Sequence, residues 1–161
     1  MFDRGDYEKA LYYFRESDKI IKNDVTTVVN IATCLAKLDR FDEALEYYEI
    51  GARFESHLGQ YYNWGAILEY RGDYAKAIEV FHNASTYSSE GGRLTLYQDD
   101  HAMKAVSAMH EGTLLCRTGD SQGGVDAFKY AVSIDNNLGT SGWRGWLSRR
   151  RDLARKQFTL S

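Results

Sequence analysis

The chain has 161 residues, of which 43% are hydrophobic and 14% aromatic, and it contains no proline. This length suits one domain with a continuous core, and this apolar content argues against global disorder. No apolar run reaches the length of a membrane span, and the charges near the N-terminus exclude a secretory signal segment there. The absence of proline suits helices joined by Gly, Asn and Asp turns.

Charge is distributed unevenly along the chain. The formal net charge is −3, but residues 139–161 alone carry +5, which leaves −8 for residues 1–138. The sequence therefore combines an acidic body with a short basic C-terminal segment.

Three stretches of eleven residues repeat nearly the same pattern along the chain. RGDYEKALYYF, LDRFDEALEYY and RGDYAKAIEVF begin at Arg4, Leu38 and Arg71, and a degraded copy, TGDSQGGVDAF, begins at Thr118. The small residue inside each copy recurs after 34, 33 and then 47 residues. A period near 34 predicts a solenoid with one pair of helices per period.

Each copy begins with residues suited to a turn and a helix start. A residue that tolerates positive φ comes first: Gly5, Asp39, Gly72 and Gly119. An aspartate positioned to cap the next helix follows in three copies: Asp6, Asp73 and Asp120. The sequence therefore predicts a chain reversal at each copy.

Rings and small residues then alternate along one face of the following helix. An aromatic residue at the bend (Tyr7, Phe41, Tyr74) precedes a small residue (Ala10, Ala44, Ala77), and a second ring comes four residues later (Phe14, Tyr48, Phe81). The segments before the later turns have apolar residues at helical spacing and a small residue seven positions before the turn: Ala32, Gly65 and Gly112. Small residues at these places predict close helix packing.

This series resembles the tetratricopeptide repeat family from about Gly5 to Asn137. The resemblance implies an all-α fold, a right-handed superhelical solenoid of antiparallel helix pairs with a C-terminal capping helix. The implied boundaries are a partial first repeat over 1–22, repeat two over 25–57, repeat three over 58–87, an insertion loop over 88–100, a degraded repeat four over 101–137 and the capping helix over 140–158. Ser121 and Gly124 replace the aromatic residue and the alanine expected in the fourth copy, which predicts looser packing there.

The resemblance also implies a concave groove lined by the first helix of each pair. The predicted groove residues are Val29, Asn30, Thr33, Lys37, Tyr62, Asn63, Ala66, Tyr70, Met109, His110 and Arg117, with Thr26, Glu69 and Thr113 beside them. Asn30 and Asn63 hold the same position in successive units, where amides either pair with the backbone of an extended peptide or are solvated. Tyr62 and Tyr70 either anchor a peptide side chain or stack between repeats.

The family's clamp for a carboxylate-terminated peptide is not expected in this groove. That clamp needs lysine, asparagine and arginine at places occupied by Val29, Thr33, Val106 and His110.

The basic C-terminal segment has three alternative interpretations. Its cations are Arg144, Arg149, Arg150, Arg151, Arg155 and Lys156, and Trp143, Trp146, Leu147, Ala154 and Phe158 fall largely on one side of the predicted helix. The cations either solvate the outer face of a capping helix, contact an acidic protein partner, or contact nucleic acid or a membrane surface. Of these, nucleic acid has the least support because the body is acidic.

The first copy has no preceding first helix in the sequence. We therefore predict that another chain or a missing N-terminal segment covers this end, or else that the helix tolerates partial exposure. The insertion near Gly91 and Gly92 either shapes a binding site or is a tolerated loop.

The sequence shows no pattern of a catalytic, metal or cofactor site. The four histidines lack metal-ligand spacing, and no nucleophile elbow, phosphate-binding loop or dinucleotide glycine pattern occurs. Cys34 and Cys116 stand alone, which indicates an intracellular protein, most simply a cytoplasmic one. The predicted function is a non-catalytic scaffold that binds a protein or peptide; the alternatives are a structural subunit of a large assembly and a binder of anionic surfaces.

Overall fold

The computed structural model of the chain describes residues 3–22, 24–54, 58–87 and 100–135. These residues form seven α-helices: α1 (Arg4–Ile20), α2 (Val25–Lys37), α3 (Phe41–Phe54), α4 (Leu58–Arg71), α5 (Tyr74–Ser85), α6 (Asp100–Thr118) and α7 (Ser121–Ile134). No strand occurs among the described residues, and the all-α prediction is confirmed. The predicted insertion up to residue 99 and the predicted capping helix over 140–158 lie outside these ranges.

The two helices of each complete pair are joined by the same kind of turn. Asp39, Gly72 and Gly119 have φ values of 60°, 83° and 102°, in the left-handed region predicted for them. In each turn the following residue donates its N–H to a carbonyl five residues earlier, at 2.9 to 3.0 Å. These bonds satisfy carbonyl groups that the end of a helix leaves without a helical partner.

Aspartates cap the second helices of the later pairs, as predicted. The N–H of Lys76 donates to Oδ1 of Asp73 at 3.3 Å, and the N–H of Gly123 donates to Oδ1 of Asp120 at 2.8 Å. Each bond satisfies one of the N–H groups at the start of a helix. The caps therefore fix where α5 and α7 begin.

Helix α1 begins differently from the prediction. Asp3 is its cap, because Asp6 donates its N–H to Oδ1 of Asp3 at 3.0 Å and Asp3 donates its N–H to Oδ2 of Asp6 at 3.1 Å. This reciprocal capping box satisfies two N–H groups and leaves Gly5 inside the first helical turn. The prediction of a turn at Gly5 capped by Asp6 is wrong, because Asp3 supplies an earlier cap.

A ring packs on a small residue at the centre of each helix pair. A Cβ atom added to Gly65 would lie 2.8 Å from the Phe81 ring, and one added to Gly112 would lie 2.8 Å from the Phe128 ring. In the first complete pair Ala32 and Tyr48, also sixteen residues apart, are both fully buried. Small residues on the first helix therefore let the second helix approach closely.

The fourth unit packs more closely than its sequence predicted. A Cβ atom on Gly112 would lie 2.9 Å from the carbonyl oxygen of Gly124, and one on Gly124 would lie 2.9 Å from the carbonyl oxygen of Gly112. Two facing glycines let the backbones of α6 and α7 meet directly. The prediction of looser packing is wrong at this contact, because the lost alanine methyl is replaced by a closer backbone.

The first helices of the complete pairs form a row, here called the first-helix row (α2, α4 and α6). Helix α2 packs against α4, and α4 packs against α6. One buried cluster extends from Leu11 in α1 through Leu35 and Phe81 to Leu114 in α6. A core continuous from unit to unit is the mark of a solenoid.

Candidate peptide-binding groove

Helix α2 presents its predicted groove residues as a surface stripe. Thr26 and Lys37 are exposed, and Val29, Asn30 and Thr33 are half-buried. Their spacing of three and four residues places them on one face of the helix. The opposite face of α2 supplies buried core residues.

Helix α4 presents a second stripe beside the first. Asn63 and Tyr70 are exposed, and Tyr62 and Ala66 are half-buried. Because α2 and α4 pack together in the first-helix row, the two stripes form one surface, here called the groove.

Helix α6 contributes less to this surface than was predicted. Met109 and His110 are only 4% and 6% exposed, whereas Thr113 is half-buried and Arg117 is exposed. The structure therefore places Met109 and His110 beneath the surface and leaves Thr113 and Arg117 on it.

His110 is held in a buried contact with the neighbouring unit. Its ring stacks on Phe81 with centroids 4.7 Å apart and meets Tyr62 edge-on at 5.7 Å. Burial lowers the pKa of His110 from 6.5 to about 4, because the charged ring would lose its hydration. The neutral imidazole donates its Nδ1–H to Oε2 of Glu69 at 2.8 Å.

A buried carboxylate, which the sequence did not predict, joins the next pair of helices. Glu111 is 8% exposed, and its Oε1 lies 2.8 Å from Nδ1 of His82 on α5. Its Oε2 accepts from the Ser85 hydroxyl at 3.2 Å. The available signal was two polar residues, His110 and Glu111, inside an apolar stretch of α6. Together the two pairs fix α6 against α4 and α5.

The hydroxyl of Tyr48 reaches the groove from below. It lies 3.5 Å from the Thr33 hydroxyl, and Thr33 in turn donates to the Val29 carbonyl at 2.9 Å. Burial raises the pKa of Tyr48, and hydrogen bonding to Thr33 and Asn63 opposes that rise. Two groove side chains, Thr33 and Asn63, thus have a partner in the core.

Two residues predicted for the groove contact the bend aromatics of the preceding unit. Tyr70 packs on Phe41 with centroids 5.4 Å apart, and the guanidinium of Arg117 lies 4.5 Å from the Tyr74 ring centroid. These contacts show stacking between repeats, the alternative that the sequence left open for Tyr70. Both side chains remain exposed as well.

The second helices carry most of the charge, and much of it is paired between units. Glu43 on α3 accepts from Arg40 at 2.6 Å and from Arg15 on α1 at 3.1 Å. The hydrogen bond from Arg40 lowers the pKa of Glu43. Glu49 on α3 likewise pairs with Lys76 on α5. The stripes on α2 and α4, by contrast, carry little charge: Lys37 lies on α2, and Glu69 and Arg117 lie beside them.

Other predicted sites lie outside the described residues or find no support within them. The basic residues from Arg144 to Lys156 lie outside, so the acidic partner remains a prediction. Within the described ranges no helix has the length and apolarity needed to cross a membrane. No group of three metal-ligating side chains occurs among those residues.

The fold and the groove define a helical-repeat solenoid with its first helices along one side. Residues 25–49, which span α2, its turn and much of α3, match the family model described as tetratricopeptide repeat. This match agrees with the tetratricopeptide repeat resemblance that the sequence predicted.

Solved structures share this fold at low sequence identity. MamA 41-end from Desulfovibrio magneticus RS-1 is 22% identical with a TM-score of 0.65, covering 97% of this chain and 84% of that one. A crystal structure of MamA is 17% identical with a TM-score of 0.66, covering 96% and 85%. YrrB, described as a TPR protein with an unusual peptide-binding site, is 13% identical with a TM-score of 0.50, covering 82% and 79%. At these identities the likeness concerns the fold alone.

A curated relative matches part of the chain. The BBSome complex member BBS4 of Bos taurus is 28% identical over 94 residues, which are 58% of this chain. The match spans 18% of that protein's length.

Proposed function

We propose that this chain is a non-catalytic interaction scaffold that binds an extended peptide segment of a protein partner along the groove. The observation that carries the proposal is the pair of adjacent stripes on α2 and α4, in which Asn30 and Asn63 hold equivalent positions. An amide both donates and accepts hydrogen bonds, so two amides one repeat apart suit the regular polar groups of a peptide backbone.

The surroundings of the amides support this use. Half-buried Tyr62 and Val29 offer apolar contact beside them, and aromatic anchors in partly desolvated positions contribute strongly to binding. The Tyr48 hydroxyl lies 3.5 Å from the Thr33 hydroxyl and restrains that groove side chain, which lowers the entropy lost when a peptide binds. Because the stripes carry little charge, we expect a ligand recognised through backbone and apolar contacts, with a weak dependence on salt.

The test uses peptides that are selected on the chain itself, so the natural partner does not have to be identified first. Displayed random twelve-residue peptides are selected on the 161-residue chain, and the affinity of a selected peptide is measured by calorimetry. The Asn30→Ala, Asn63→Ala double variant should weaken binding about tenfold or more, since hot-spot residues each contribute more than about 1 kcal/mol. Glu46→Ala, an exposed change on α3, is the matched control and should leave the affinity unchanged.

The proposal fails if selected peptides bind the double variant as tightly as the unchanged chain. It also fails if Glu46→Ala weakens binding as much as the double variant does. If the double variant does weaken binding, a pull-down of partners with the same variants would identify the natural ligand of the groove.

A second candidate is a permanent subunit of a multiprotein assembly. The relative's description as a complex member and the exposed side of α1 favour it. Aggregation of the isolated chain that only co-expressed partners prevent would support this role, whereas a monodisperse monomer supports the scaffold. We place either function inside the cell, because Cys34 and Cys116 are both free thiols.

A further inference from the structure

Helices α4 and α6 make the same contact at their last groove position, but with different chemistry. Tyr70 on α4 packs on Phe41, the bend aromatic of the preceding unit, with ring centroids 5.4 Å apart. Arg117 holds the equivalent position on α6, and its guanidinium lies 4.5 Å from the centroid of the Tyr74 ring. A guanidinium stacked on a ring is held in place, while its N–H donors lie in its own plane and stay available at its edge. The repeat therefore positions a cation where the preceding unit has a ring.

Arg117 differs from the other cations that contact a neighbouring unit. Four such cations of the described residues each pair with a carboxylate: Arg4 with Asp39, Arg15 with Glu43, Arg71 with Asp42 and Lys76 with Glu49. No carboxylate of the described residues pairs with Arg117, and its side chain is exposed beside the groove. An arginine has five N–H donors in a planar fork that matches a carboxylate. Arg117 therefore offers a bound peptide donors that no carboxylate within the described ranges uses.

The surface beside Arg117 consists of short side chains between larger ones. On α4, Ala66 lies one helical turn from Tyr62 and one from Tyr70, on the same face. Half-buried Thr113 holds the equivalent place on α6, which packs against α4. Because both side chains are short, the surface between the two helices is lower there than at the rings. We call the surface of Ala66 and Thr113 the notch; it lies one helical turn from Arg117.

The charges along the groove favour a negatively charged ligand. Lys37 and Arg117 are both exposed cations, at equivalent positions on α2 and α6. The carboxylate of Glu69 accepts a hydrogen bond from His110, which is buried beneath the surface. A positive surface is complementary to an acidic ligand, and such complementarity contributes mainly to specificity.

We propose that the peptide bound along the groove carries an aspartate or glutamate side chain, which pairs with Arg117 above the notch. This inference rests on the proposed function, because a peptide has to occupy the groove. Arg117 lies about two helical turns, or about 10 Å, beyond His110, the α6 residue equivalent to Asn63. Neighbouring helices are about 8–10 Å apart, and the arginine side chain covers part of the distance. The acidic residue should therefore lie about two to four residues from the segment that pairs with the amides.

The first test changes the peptide and leaves the chain as it is. The peptides selected on the chain are sequenced, and Asp or Glu should be enriched at one position relative to the unselected library. Replacing that residue by Asn or Gln in a synthetic peptide should weaken binding about threefold to tenfold in calorimetry. Amidating the C-terminus of the same peptide should leave the affinity unchanged, because the proposal places the carboxylate on a side chain. Since only one ion pair is involved, the dependence on salt should stay weak.

The second test exchanges the two charges. Arg117→Glu should weaken binding of the acidic peptide about tenfold or more, and a peptide with Lys in place of the acidic residue should recover binding to this variant. If Arg117 only supported the packing on Tyr74, the lysine peptide would bring no recovery. Lys129→Glu makes the same change in net charge at an exposed position of α7 and should change the affinity less than about twofold.

Four results would overturn this inference. The selected peptides could show no enrichment of acidic residues, or Lys129→Glu could weaken binding as much as Arg117→Glu does. The preference for an acidic residue could disappear with Lys37→Glu and persist with Arg117→Glu, which would place the contact on α2. Loss of binding on amidation would show that the carboxylate is the peptide's C-terminus. Peptides that need Asn30 and Asn63 but no acidic residue would refute this inference alone and leave the proposed function intact.

Discussion

Helices α1 and α5 have closely similar sequences and different surroundings. Phe81 in α5 is completely buried under α4, whereas Phe14 in α1 is half-buried and lies beside exposed Tyr13. The difference shows that the repeat pattern specifies a face suited to a neighbour, and that burial depends on whether the neighbour is present. The free energy of unfolding lost when a ring is removed should therefore depend on whether a neighbouring helix covers that ring, rather than on the residue type.

The largest expected effect comes from removing the two equivalent rings. Phe81→Ala should lower the free energy of unfolding by about 3–5 kcal/mol, because it leaves a cavity between α4 and α5. Phe14→Ala should cost about 1–2 kcal/mol, since its ring is already partly hydrated. Urea denaturation followed by circular dichroism measures both, and equal losses would show that α1 is covered after all.

A smaller effect is expected where added volume meets a covered contact. Gly112→Ala should destabilise the protein toward the upper end of about 1–3 kcal/mol, because its methyl would meet the Gly124 carbonyl and the Phe128 ring. Gly59→Ala is the matched control in α4, where nothing lies within 4 Å of the new methyl. Gly59→Ala should raise the free energy of unfolding by about 0.5 kcal/mol, because alanine lowers the conformational entropy of the unfolded chain. Thermal unfolding of both variants checks the sign; destabilisation by both would contradict this account of the α6–α7 contact.

The covered side of α6 should also make stability depend on pH. The folded pKa of His110, about 4, lies below its unfolded value of 6.5, so its contribution is present above pH 6.5 and lost as pH falls toward 4. The free energy of unfolding should fall by about 2 kcal/mol between neutral pH and pH 5, since one pKa unit corresponds to about 1.4 kcal/mol. His110→Asn, which restores the residue found at 30 and 63, should remove this slope while the titration of carboxylates persists. An unchanged slope in that variant would mean that other groups carry the pH dependence.

The smallest effect is expected at the ion pair that links α1 to α3. Arg15 and Glu43 are 38% and 43% exposed, and solvent screens pairs of this kind. Arg15→Ala should therefore change the free energy of unfolding by less than about 1 kcal/mol. A larger loss in chemical denaturation would mean that the attachment of α1 depends on charge rather than on the apolar contacts of Leu11.

The sequence predicted features that depend on local chemistry and missed those that depend on a neighbour. Residue type determines the positive φ values at Asp39 and Gly72 and the helix cap at Asp73. The repeat pattern was therefore sufficient to predict them. Burial of His110 and its pairing with Glu69 depend on how α6 packs across α4 and α5, and repeat position alone suggested an open groove residue. The wrong predictions at Gly5 and Gly124 share one cause. In both places a nearby residue, Asp3 or Gly112, offers a better arrangement than the repeat pattern implies.

Amide hydrogen exchange of α1 and α5 in the same sample tests the central comparison most directly. Because Phe14 is half-buried and Phe81 is completely buried under α4, the amides around Phe14 should exchange at least about tenfold faster than those around Phe81. Equal protection of the two helices in the chain alone would contradict the account.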